Sequence, residues 1–290
     1  MIKYAIPGMW ELRDLNFKYL NLMRTHPEFF YEDIEVEVVY GNPQFCIWDG
    51  GRIFQKYEFA TLEKINHTVG VYNEAFNLPV RYIFTNCKLE PVHYQDRFGN
   101  LLMEVAHSGK NDVVVADDDF CDFLSSKYPN YRYISSTTKC IEDEELAKKE
   151  LNKDRYGLVC LDYNLNRKMD FLKSLNDKEK AKTELLINAI CPPGCQHRKE
   201  HYYLNSMCSL SYGKKYTMEH CSIKTNITDP QARKHYMSYE TIKNVYAPMG
   251  FEHFKIEGRT LSLLETILSY CYFMVKPEYH DQVVILSLLE

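Results

Sequence analysis

The feature that most constrains this chain is a repeated alternation of short strand-like runs with helical patterns. Eight runs rich in Val, Ile, Tyr and Phe occupy residues 2–7, 34–40, 80–85, 112–116, 131–136, 157–163, 184–190 and 252–257. β-Branched and aromatic residues favour strands, and each run ends in polar or turn-forming residues. Between the runs, residues 14–25, 58–77, 94–108, 119–127, 142–153, 168–175 and 261–274 carry apolar side chains at helical spacing. Pro79 closes the second helical pattern, Gly109 follows the third, and Asp117, Asp118 and Asp119 stand where the fourth needs an N-cap. Strand–helix alternation with short connections makes a parallel α/β architecture. Eight units fit a closed (β/α)8 TIM-barrel-like fold better than an open sheet, and a doubly wound sheet is the alternative.

One stretch interrupts the rhythm. Residues 196–250 separate the seventh and eighth runs, too far for a bare loop, and read as a functional excursion. It holds Cys208 and Cys221, a helix-like segment at 238–247, and Lys214, Lys215, Lys224, Arg233 and Lys234 interleaved with Tyr212, Tyr216 and Tyr236. Charge with stacking side chains is what an RNA-binding surface needs, and a solvated surface has the same composition. No repeat or linker is visible, so residues 1–290 read as one domain. A net charge of -5 gives no overall attraction to nucleic acid. The start of the chain shows no secretory pattern, and no apolar run reaches the length of about eighteen residues that a membrane span needs. The expectation is a cytoplasmic protein with no membrane segment and with reduced thiols.

In a barrel of this kind the site lies at the C-terminal ends of the strands. Polar residues gather there: Thr85 and Asn86 after the third run, Ser135 to Thr138 after the fifth, Asp162 after the sixth and Asn188 after the seventh. Singly, each is an ordinary turn or cap residue; together they converge on one mouth. The last run adds Phe254-Lys255-Ile256-Glu257-Gly258-Arg259. Side chains alternate faces along a strand. If Phe254 and Ile256 face the helices, Lys255 and Glu257 point into the barrel and Arg259 reaches over its top. Buried charges must be paired or hydrated. The pattern is either an inter-strand ion-pair network or a pocket for a polar or anionic ligand. Lys255, Glu257, Arg259, Asp162 and Asn188 are therefore candidate catalytic residues, and Asn86, Arg198 and His201 candidate substrate-binding residues.

The chain has ten cysteines. Cys191 and Cys195 flank a Pro-Pro-Gly turn just past the seventh run, and Cys208 and Cys221 follow. Four thiolates suit an iron–sulfur cluster or zinc, with His197, His201 and His220 as further zinc donors. Free packing thiols are the plain alternative. A third reading is a thiol activated by Arg198, Lys199 and His201. No GxSxG, HExxH or glycine-rich phosphate loop is present.

The segment from Cys191 to Tyr202, followed by Phe254–Arg259, resembles the bacterial collagenase-like peptidases, peptidase family U-thirty-two. The resemblance implies a TIM-barrel-like core and two kinds of activity. Some members are known as collagen-degrading proteases. Others carry out oxygen-independent hydroxylation of ubiquinone precursors or RNA bases and hold a [4Fe–4S] cluster through four cysteines. By position Cys191 and Cys195 match the cluster-bearing segment, and Cys208 and Cys221 are inferred completions. Three functions are expected. The first is an iron–sulfur hydroxylation or RNA/cofactor-modification enzyme, with a small aromatic or RNA substrate and an electron donor or paired homologous subunit. The second is a metal- or thiol-dependent peptidase with a peptide substrate. The third is a non-enzymatic binding protein, since fold does not fix function.

Overall fold

Strands β1 (Ile2–Pro7), β2 (Ile34–Tyr40), β3 (Val80–Phe84), β4 (Asp112–Val115), β5 (Arg132–Ser135), β6 (Leu158–Cys160), β7 (Thr183–Leu186) and β8 (His253–Lys255) form where the period-two runs lie. In the computed structural model, which describes residues 1–43, 46–50, 60–107, 109–211, 230–259 and 261–289, they close into one parallel barrel in chain order. The closing pair sets Lys3 beside His253, Tyr4 beside Phe254 and Ala5 beside Lys255. β6 and β7 are shorter than their runs, so Asp162 and Asn188 stand beyond the strand ends, in the connections.

Alternation divides the apolar residues into two cores. Ala5, Val38, Tyr40, Ile83, Val114, Ile134 and Leu158 pack together inside the barrel. Tyr4, Ile6, Val39, Tyr82, Phe84, Val113, Val115, Phe254 and Ile256 face outward into the larger core shared with the helices. Full burial of each large side chain stabilises the fold by about 1.5–3 kcal/mol, and the two layers fix strand register.

The connecting helices are α1 (Arg13–Thr25), α2 (Leu62–Gly70), α3 (Arg97–Val105), α4 (Asp118–Lys127), α5 (Glu144–Leu151), α6 (Met169–Ser174), α7 (Asp177–Ala181), α8 (Arg198–Leu210), α9 (Tyr239–Thr241), α10 (Leu263–Met274) and α11 (His280–Leu288). Asp117 caps α4 by accepting from the Phe120 amide at 2.7 Å. α2 and α9 each run on into a wider π turn, over Val71–Ala75 and Ile242–Tyr246. Four helices lie outside the seven patterns: α9 falls on the helix-like segment at 238–247, and α7, α8 and α11 have no counterpart. The buried stripe of α8 is Arg198, Tyr202, Ser206 and Ser209, largely polar, so apolar periodicity does not mark it. Among the described residues no helix is long and apolar enough to cross a membrane.

The N-terminal end of the barrel is closed by charge. Arg81, fully buried, pairs with Glu184, with Asp112 at 3.1 Å and with Glu37 at 3.7 Å. Arg132 reaches Asp112 at 2.7 Å, and His253 reaches Glu37 at 2.8 Å. This inter-strand ion network lies at the end of the barrel away from Glu257, and β8 contributes His253 to it.

Candidate functional site

At the opposite end the strand termini enclose a cavity of about 50 Å³. Its floor is apolar (Tyr40, Ile83, Val114, Leu186), its wall carries hydroxyls (Thr85, Ser136, Thr137, Thr138), and its charged groups are Lys255, Glu257 and Arg259. The alternation expected of β8 therefore holds, with Lys255 and Glu257 inward.

Lys255 is 9% exposed, and its Nζ lies 4.3 Å from the centroid of the Tyr40 ring. The Tyr40 hydroxyl donates to the Ile256 carbonyl at 2.6 Å, which holds the ring under the ammonium. A desolvated cation over an aromatic face gains about 2 kcal/mol, which offsets part of the cost of burying the charge. The Glu257 carboxylate accepts from the Ile190 amide at 3.0 Å. Asn188 extends the β7–β8 pairing with its side chain: its Oδ1 accepts from the Glu257 amide at 2.6 Å and its Nδ2 donates to the Glu257 carbonyl at 3.0 Å. Asn188 is a positioning residue for Glu257.

The other candidates lie outside the lining of this cavity. Arg198 and Asp162 take each other: one guanidinium nitrogen donates to Asp162 Oδ1 at 3.1 Å and the second pairs with Oδ2. Glu142 at 2.9 Å and the Tyr163 ring face at 4.6 Å complete the surroundings of Arg198. This fork anchors the start of α8 to the end of β6. His201 is half-buried on α8. Asn86 is a latch, donating to the carbonyls of Ile47 at 2.7 Å and Ser206 at 3.2 Å.

The wall contains groups that periodicity does not single out. The Thr137 hydroxyl is buried and has no hydrogen-bond partner among the described residues. Beside it, the Ser136 and Thr138 hydroxyls are 2.8 Å apart. Thr85 Oγ1 donates to the Gly50 carbonyl at 2.5 Å, which brings Asp49 close to the mouth. Asp49 is fully buried and accepts from Asn42 at 2.7 Å and from the Gly50 amide at 2.9 Å. Burial pushes its carboxyl up to about 7, against the opposing pull of the Arg259 charge. An aspartate that titrates near neutrality is suited to proton transfer. Its only sequence signal is its place after the second strand run.

Cys191 packs against Cys160, Tyr163, Leu186 and Ala189, and Cys195 is half-buried. Gly194 between them has φ +68°, a left-handed conformation that glycine adopts without strain. Cys208 stands near the far end of α8. Among the described residues no three Cys, His, Asp or Glu side chains come together as a metal site. Cys191, Cys195 and Cys208 alone therefore do not form a ligand set. Cys221 and His220 lie outside the described residues, as do Tyr212, Lys214, Lys215, Tyr216 and Lys224.

A solved structure, that of the U32 peptidase Mk0906, is similar with a TM-score of 0.57. The chain shares its fold. The likeness covers 89% of this chain and 94% of that one at 14% identity. No family model and no curated protein matches the sequence.

Proposed function

We propose that the chain is an enzyme of the U32-peptidase type that acts on a polar group bound at the barrel mouth, with peptide-bond hydrolysis as its reaction. The observation that carries this reading is Lys255 inside the mouth cavity together with Glu257, Arg259 and the unpartnered Thr137 hydroxyl. The fold shared with a U32 peptidase supports the same class. In this reading Lys255 and Arg259 stabilise the negative charge that develops on a carbonyl oxygen. Glu257 takes a proton from the attacking water and returns it to the leaving amine. Thr137 hydrogen-bonds the bound chain. The test is cleavage of denatured collagen and of quenched fluorescent peptides. Wild type should cleave them, and Glu257→Gln should not while keeping its circular dichroism spectrum. Equal cleavage by both proteins, or none by wild type, would overturn the reading.

The second reading is an iron–sulfur enzyme of oxygen-independent hydroxylation or RNA/cofactor modification. Its support is the half-buried pair Cys191 and Cys195, past the end of the β7 wall, and its ligand set is incomplete among the described residues. A small aromatic or RNA substrate and an electron donor or paired homologous subunit belong to this reading. Protein purified without oxygen should then be brown and contain iron, and Cys191→Ser should remove both. Colourless, iron-free protein after anaerobic reconstitution argues against it.

A further inference from the structure

A second and larger cavity opens beside the barrel mouth. It measures about 410 Å³ and lies between the start of α1, residues 261–263 at the start of α10, and the end of α11. That volume is within the range of small-molecule sites, roughly 300–1,000 Å³. Arg259 lines both this cavity and the one at the mouth.

The wall is apolar: Leu12, Leu15, Leu261, Leu263 and Leu288. Its cations are already engaged. Lys18 donates to the Leu289 carbonyl at 2.5 Å. Arg259 acts on the carboxyls of both Glu11 and Asp49, opposing the burial that raises them. Two of its acceptor atoms are not engaged. Glu11 Oε2 and Ser287 Oγ are buried without a hydrogen-bond partner among the described residues, and Ser287 is only 2% exposed. Asp14, also in the lining, is exposed and lies 3.8 Å from the Arg13 guanidinium. A buried acceptor without a donor is costly, and a ligand that donates from a positively charged group meets the need of Glu11 Oε2 and Ser287 Oγ together.

We infer that this cavity binds a primary ammonium group bearing a branched apolar chain, as at the free amino end of a peptide that starts with a leucine-like residue. The ammonium donates to Glu11 Oε2 and to Ser287 Oγ, and the aliphatic chain lies among the five leucines. An extended peptide advances about 3.3–3.6 Å per residue, so a chain held here passes Arg259 and enters the mouth within its first few residues. That last step rests on the peptidase reading; the binding of the ammonium does not.

Calorimetric titration with small probes tests the inference without turnover. Leucinamide should bind wild type saturably. N-acetylleucinamide, which lacks the ammonium, and 4-methylpentanoate, which reverses the charge, should each bind at least about tenfold more weakly. Glu11→Gln should weaken leucinamide by about the same factor. Leu263→Asn, at a half-exposed wall position, should narrow the preference for leucinamide over glycinamide. Equal binding of leucinamide and its acetylated form, a preference for the carboxylate, an unaltered affinity in Glu11→Gln, or no binding of any probe would overturn the inference. Failed titrations with intact peptide cleavage would remove this site alone. Leucinamide binding without cleavage would remove the peptidase reading alone.

Discussion

The Lys255 ammonium sits 4.3 Å from the centre of the Tyr40 ring, and the two residues come from β8 and β2, the strands on either side of β1. The charge is thus held by barrel closure and points into the mouth. Lys255→Met should lower kcat/KM for peptide cleavage by about a hundredfold or more, the usual cost of losing one group that stabilises a developing oxyanion. Thermal stability should fall by only a fraction of that cost, because methionine fills the site but removes the cation over Tyr40 and one of the charges that pull the Glu184 carboxyl down. A fall in stability that matches the loss of activity would assign Lys255 a structural role.

The fold was legible because burial in a barrel imposes period two on every strand. Phe254 and Ile256 out with Lys255 and Glu257 in is that rule read at single-residue resolution. Pairings set by closure were not legible. Arg81 and Glu184 stand 103 residues apart, and each looks like an ordinary polar residue within its own run. Nor does the sequence reveal that the charge of Arg198 is taken by Asp162. α8 was hidden because its buried stripe is polar. Asp49 was hidden because it sits in a connection, where no periodicity distinguishes a buried carboxylate from an exposed one.

Arg81 and Glu184 make the second prediction. Both side chains are fully buried, so Glu184→Gln leaves a guanidinium short of its main counter-charge. A loss of about 3–5 kcal/mol is expected in urea unfolding at neutral pH. Burial pushes the Glu184 carboxyl up, but Arg81 and Lys255 pull it down further, to about 2. The folded value is below the unfolded one of about 4.3, so this contribution is complete above that pH and is lost as pH falls toward 2. Wild type should therefore lose stability across that acid window more steeply than Glu184→Gln. Parallel pH profiles would contradict the assignment.

The Arg198–Asp162 fork predicts a local effect. Lysine keeps the charge but cannot match two carboxylate oxygens at once. Arg198→Lys should cost about 1.5–3 kcal/mol, felt mainly where α8 begins. Hydrogen exchange should quicken over Arg198–Leu210 and stay unaltered in β3 and β4. Uniform loss of protection across the barrel would mean that the fork stabilises the whole fold instead.

The nine described thiols should separate into two kinetic classes. Cys46, Cys121, Cys140, Cys160 and Cys271 are buried, and burial raises each of their pKa values, to about 12 for Cys121, Cys160 and Cys271. A thiol reacts as its thiolate, so these five combine poor access with little of the reactive form. Cys87 is exposed, and Cys191, Cys195 and Cys208 are partly so. A brief pulse of iodoacetamide on the reduced native protein, read by peptide mass spectrometry, should label these four first. The buried five should react only at the rate of unfolding, and denaturant should merge the classes. Within the fast class, Cys195 should react ahead of Cys191, which packs against Cys160, Tyr163 and Leu186. Label on Cys160 or Cys271 ahead of Cys195 would mean that the barrel interior opens more readily than its packing implies.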